Sequence, residues 1–161
     1  MCYTIGETFN GKGVMGLYFV DRGLLEKRLL NLEKYIALFS EQEEWKSPVE
    51  RLALERMSHV MIEIIIDVGN QMIDGFIMRD PGSYEDIVDI LVDEGVVAAY
   101  EGESYKRFIG WRKKLLQEYG QVDHRELLAA LLDTKTHLAA FPKQVRRYLK
   151  NELGPVSAFL P

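Results

Sequence analysis

SPVERLALERMSHVMIEIIIDVGNQMID, residues 47–74, is the stretch that decides the fold. Leu54, Met57, Met61, Ile64, Ile65, Val68, Met72 and Ile73 recur at steps of three and four, with an occasional adjacent pair. That is the period of one buried helical face. Ser47-Pro48 sets the start, with proline at a first-turn position where its missing N–H costs nothing. Asp80-Pro81-Gly82 ends the segment in a turn. The opposite edge carries Glu55, His59, Glu63, Asp67 and Asp74. A spacing of four along most of that edge predicts a solvated face. Carboxylates and histidine at such spacing can also hold a metal, but two-metal bundle sites need matching sets on further helices, which this chain lacks. No metal is expected.

Working outward, Leu25, Leu29, Leu32, Ile36 and Phe39 form the stripe of a preceding helix, with Asp21 as its N-cap. Residues 40–48 read as a polar connection. Ser83 with Asp86 three residues later resembles a capping arrangement for a shorter third helix ending near Gly95. A fourth helix is expected over about 97–119, stopped by Gly120. Asp123 can cap a fifth, which uses Leu127, Leu131, Leu138, Phe141, Val145 and Leu149. Pro142 must kink or split it, since its ring removes the bond to the carbonyl four residues back. No strand alternation and no internal repeat interrupt this pattern. The expected fold class is therefore all-α, an antiparallel bundle of about five helices.

The chain has 161 residues, enough for one domain with a core of its own. Residues 1–14 show no period and read either as a surface arm or as an extension upstream of a start near Met15. The domain is expected over 15–153, with a tail at 154–161. A net charge of −5 argues against a protein that coats nucleic acid or acidic membrane with its whole surface. Cys2 is the only cysteine, which excludes a disulfide framework and a thiolate metal cluster and fits a reducing cytoplasm. The most apolar run, 60–68, is broken by Glu63 and Asp67 and falls short of the ~20 residues a bilayer requires. No membrane association is expected.

Charge is unevenly distributed. Residues 80–103 carry eight acidic side chains and no Lys or Arg, whereas 106–114 hold five basic ones: Lys106, Arg107, Arg112, Lys113 and Lys114. Phe108 and Trp111 are interleaved with them, and a second basic set, Lys143, Arg146, Arg147 and Lys150, lies on the last helix. Two readings stand. Acidic helix three packs beside basic helix four, or the basic residues track a phosphate backbone with aromatic neighbours.

The segment Trp111-Arg112-Lys113-Lys114-Leu115-Leu116-Gln117-Glu118-Tyr119, followed by Gly120-Gln121-Val122-Asp123, resembles the motif of the HepT-type HEPN family. In that motif an Arg is followed after four residues by His, then one residue, then Tyr. Asp67 to Ile73 and Ser83 to Gly95 are similar to the family's second and third helical segments, so the resemblance spans about residues 17–150. It implies a homodimer of helical bundles whose two motif copies face one cleft. It also implies a metal-independent RNA endonuclease that serves as a toxin and needs no cofactor. The implied partner is a nucleotidyltransferase-type antitoxin that attaches AMP to the motif Tyr, here Tyr119.

Under that resemblance the site residues are Arg112, Gln117 and Tyr119, with Lys106, Arg107, Lys113 and Lys114 as phosphate contacts. Cleavage of RNA without metal needs a group that moves a proton and a fixed cation for the charge that develops on phosphorus. Arg112 supplies the cation. The motif His would supply the proton chemistry, but Gln117 stands in its place, and a carboxamide neither takes nor gives a proton near neutral pH. Lys113 stands where the family often has Asn. The expected activity is weak or lost, and the alternative function is a non-catalytic dimer that binds RNA, a nucleotide or a partner. His59, His124 and His137 are expected as surface or packing residues.

Overall fold

The computed structural model describes residues 21–153. The expected arm at 1–14, the start near Met15 and the tail at 154–161 lie outside the described residues. Within them the chain is all-helical, with no strand. The elements are α1 (Arg22–Glu41), α2 (Pro48–Gly75), α3 (Tyr84–Asp93), α4 (Ala99–Ile109), α5 (Trp111–Gln117) and α6 (His124–Leu153), with a 3-10 turn at Tyr119–Gln121 between the last two.

The helix starts follow from their caps. Asp21 accepts the Leu24 N–H, and Ser47 and Glu50 form a reciprocal capping box across Pro48. Ser83 accepts the Asp86 N–H. Asp123 accepts the N–H groups of both Arg125 and Glu126, each at 3.0 Å. The α3 end is closed by Gly95 at φ 74°, with the Gly95 N–H on Val92 O and the Val96 N–H on Leu91 O. This is the double bond pattern of a left-handed cap, which glycine adopts without a Cβ clash. At the end of α2 the same role falls to Ile77, at φ 52°. A β-branched residue there stores about 1–2 kcal/mol of backbone strain.

Helix α2 is the axis of the bundle and packs against α1, α3, α5 and α6. All eight residues of its expected stripe are buried, and Ile62, Ile66, Ser58 and Gly69 join them. Each Ile, Leu or Met so buried contributes about 1.5–3 kcal/mol. The stripes of α1 and α6 close the core from two sides. Arg146 of α6 fastens them together, reaching Glu26 and Glu33 of α1, each at 2.5 Å. Arg146 is thereby withdrawn from the basic set on the last helix. Helix α6 runs unbroken through Pro142, which is itself buried. The proline removes one hydrogen bond without splitting the helix.

The fourth helix differs from expectation. Instead of one helix over 97–119, the chain forms α4, breaks at Gly110, and restarts as the short α5. Gly110 keeps near-helical angles, φ −56° and ψ −22°, so the path turns rather than reverses. Helix α5 then ends at Gln117, and Gly120 falls inside the 3-10 turn, not at a helix end.

Two glycines set how closely α3 is held. A Cβ on Gly69 of α2 would lie 2.4 Å from Ile87 Cγ2, and one on Gly102 of α4 would lie 2.6 Å from Val92 Cγ2. Both clashing atoms belong to β-branched side chains with little rotameric freedom. Ala at 102 gains up to about 1 kcal/mol of helix propensity. Overpacking costs about 1–3 kcal/mol and outweighs that gain. Gly102→Ala is therefore expected to destabilise the fold by roughly 1 kcal/mol or more in urea unfolding. A stabilised Gly102→Ala variant would show that α3 and α4 are not in this close contact.

Candidate functional site

Helix α5 lies across α2 and delivers Arg112 to Glu63. The Arg112 Nε donates to Glu63 Oε1 at 2.6 Å, and the guanidinium carbon sits 4.4 Å above the Tyr84 ring at the start of α3. The hydrogen bond to Glu63 is the main reason that the Arg112 pKa is raised above its already high value. Three elements thus fix one cation, held by α2, carried by α5 and backed by α3. Among the described residues only the Nε is engaged, so the remaining N–H groups can meet an anion.

The anchor itself corrects an expectation. The edge Glu55, His59, Glu63 reads in sequence as a solvated face, yet α5 and the first turn of α6 roof it. The side chains of Glu55 and His59 are 19% and 22% exposed. Glu55 Oε1 meets His124 Nε2 at 2.5 Å, tying α2 to the start of α6. His59 Nε2 lies 3.5 Å from Glu63 Oε1, the same oxygen that holds Arg112. Further along, Asp67 meets Arg28 of α1 at 3.4 Å. Among the described residues no three His, Cys, Asp or Glu side chains converge as a metal cluster.

The motif residues separate into two groups. Arg112 and Gln117 line one pocket of about 220 Å³ together with Tyr84, Glu85, Lys113 and Leu116. Tyr119 does not belong to it. Because α5 ends at Gln117, Tyr119 falls in the 3-10 turn and stands 73% exposed. No single helical face therefore carries all three residues.

The basic residues also divide. Lys106 is held by Asp89 of α3 at 2.8 Å and by Glu103 at 2.6 Å, and these bonds push its pKa up to about 12. Its charge is engaged in joining acidic α3 to α4, as the packing reading of the sequence has it. Arg107 lies 3.7 Å from Asp133 of α6. Lys113 is exposed at the pocket, and Lys114 sits 4.5 Å over the Trp111 ring. Sequence reasoning missed Glu63, His59 and Tyr84 as site residues. Only the period-four edge on α2 hinted at the first two.

A helical bundle with this arginine, pocket and turn defines a class. The chain belongs to the HepT-like family of the HEPN class: the family description "Ribonuclease HepT-like" matches residues 25–145. A relative from Bacillus subtilis (strain 168), named "Putative RNase YutE", is 54% identical over 143 residues, which cover 89% of this chain and 99% of that protein. The solved structure of YutE from Bacillus subtilis, titled a cytosolic protein of unknown function, superposes with a TM-score of 0.84. That superposition covers 88% of this chain and 99% of the other, at 54% identity.

Glu63 and Arg112 are each about one-third exposed or less, so solvent screening keeps their pair modest. A double-mutant cycle of Glu63→Ala and Arg112→Ala, read by urea unfolding, is expected to show coupling of roughly 0.5–1 kcal/mol. Strict additivity of the two single variants would show that the pair does not form in solution.

Proposed function

We propose that this protein binds single-stranded RNA at the Arg112 pocket and cleaves it without metal, weakly, because Gln117 occupies the position of the motif histidine. The observation that carries the reading is the convergence of Arg112, Lys113 and Gln117 on one pocket beside the Tyr84 ring. The arginine offers free N–H groups to a phosphate, Lys113 adds a second charge, and aromatic Tyr84 lies within reach of a base. Gln117 can hydrogen-bond a phosphate or ribose oxygen. It cannot shuttle the proton, which is why binding is expected to exceed catalysis.

The family supports further parts of the proposal. The active unit is a homodimer that brings two pockets to one cleft, and the exposed apolar residues Leu52, Leu116 and Tyr119 near the site suit such a cover. Tyr119, exposed in its turn, is the residue on which a nucleotidyltransferase-type antitoxin would place AMP. Among the described residues no helix is long and apolar enough to cross a membrane. We place the protein in the cytoplasm, acting as the toxin member of such a pair or as its non-catalytic descendant.

The test is cleavage and binding of a short labelled RNA in EDTA by wild type, Gln117→His and Arg112→Ala. Restoring a positioned histidine is expected to raise the rate by ~10²-fold or more, while Arg112→Ala loses both binding and cleavage. RNA that is neither bound by the wild type nor cut by Gln117→His would refute the reading.

A further inference from the structure

The chain has three histidines, and the fold gives them different positions. His124 is committed to Glu55 at the first turn of α6. His137 lies in the middle of α6 with its Nδ1 buried, its ring edge-on to Tyr100 at 5.9 Å. His59 alone shares a carboxylate oxygen with the motif arginine. Glu63 Oε1 is 2.6 Å from Arg112 Nε and 3.5 Å from His59 Nε2, so the two nitrogens are separated by no more than the sum of those distances. One phosphodiester can touch both groups across such a gap.

We propose that His59, on α2 rather than on the motif helix, is the proton-transfer residue of this site. The inference rests on the RNA-cleaving reading given above. His59 opens onto a recess of about 180 Å³ lined by Leu52, Glu55, Arg56 and Leu115. That recess lies beside the Arg112 pocket rather than inside it, so an RNA must pass over Glu63 to reach both groups. The charged groups facing it are Glu55, Arg56 and Glu63 from α2, Arg112 from α5, and His124 from α6 through Glu55. Nε2 is the ring nitrogen that faces Glu63 and Arg112, so it is the proton acceptor, and the Glu63 carboxylate 3.5 Å away stabilises the imidazolium once it forms. Arg56 is exposed and makes no ion pair among the described residues, so it can hold a neighbouring phosphate.

The step balances without a co-reactant other than water. The ribose 2′-oxygen forms a bond to phosphorus while its proton passes to the neutral His59 imidazole. The bond from phosphorus to the 5′-oxygen breaks, and the electron pair leaves on that oxygen, which takes a proton from water. The imidazolium then returns its proton to the hydroxide so formed. The products are a 2′,3′-cyclic phosphate and a 5′-hydroxyl end. Arg112 stabilises the charge on the phosphorane with the N–H groups that Glu63 does not use.

The experiment compares wild type, His59→Gln, His59→Ala, Gln117→His and the double variant His59→Gln/Gln117→His on the same RNA in EDTA. Binding is followed in parallel with a 2′-deoxy analogue that cannot be cut. Wild type is expected to cleave slowly, and His59→Gln to lose ~10²- to 10⁴-fold in rate with analogue binding retained. Added imidazole is expected to restore part of the activity of His59→Ala, which a merely structural role would not allow. Equal rates for wild type and His59→Gln, or a wild type that binds but never cuts, would overturn the proposal. Should the double variant or Gln117→His cut in either case, the RNA-cleaving reading survives while the role of His59 does not. Loss of analogue binding by wild type would remove both.

Discussion

Everything in this fold depends on the burial of α2. A helix apolar on nearly all sides must be surrounded. Here α1, α3, α5 and α6 do the surrounding. That arrangement has an electrostatic consequence. Of the charged and titratable residues on α2, Glu55, His59 and Glu63 end up under neighbouring helices, with Asp67 at their edge, and need partners there. His124, Arg112 and Arg28 supply them, one each from α6, α5 and α1. The packing requirement and the site are therefore one problem: the carboxylate that satisfies the bundle also aims the motif arginine.

The short α3 shows how tightly the second half of the site is set. Gly69 on one side and Gly102 on the other let its Ile87 and Val92 approach the helix backbones. At its start, Asp86 takes both Arg79 guanidinium N–H groups and the Gly82 N–H, and those bonds hold its carboxyl down to about 2. Tyr84, two residues earlier, is thereby fixed beneath Arg112. A pocket wall built this way needs little rearrangement, and under the proposed function that lowers the entropic cost of holding a phosphate.

Much of this was legible in the sequence, for a physical reason. Apolar stripes and caps are local codes, and they placed α1, α2, α3 and α6 and nearly all of the core. What packs against a polar edge is not local. The spacing of Glu55, His59 and Glu63 identifies a shared side of α2, but nothing in that spacing tells solvent from a covering helix. Gly102 weakens its own helix locally, and its value lies in the side chains of α3 that it lets approach. Gly110, a weak helix former, is where α4 and α5 part. The restart at Trp111 depends on α5 finding α2. The resemblance to the motif was visible, with Arg112 at its arginine and Gln117 at its histidine position. Glu63, which holds that arginine, and His59 beside it required the fold.

The proposed function makes the Arg112 pocket a phosphate site. On that proposal Gln117 separates binding from proton transfer within the site. The most direct measurement is a crystal structure with a short RNA blocked by a 2′-deoxy sugar at the scissile position. The account predicts a phosphate accepting from the Arg112 guanidinium, with the blocked sugar turned towards His59. An oligonucleotide bound instead along Lys143, Arg147 and Lys150 of α6, with Arg112 still closed on Glu63, would contradict it.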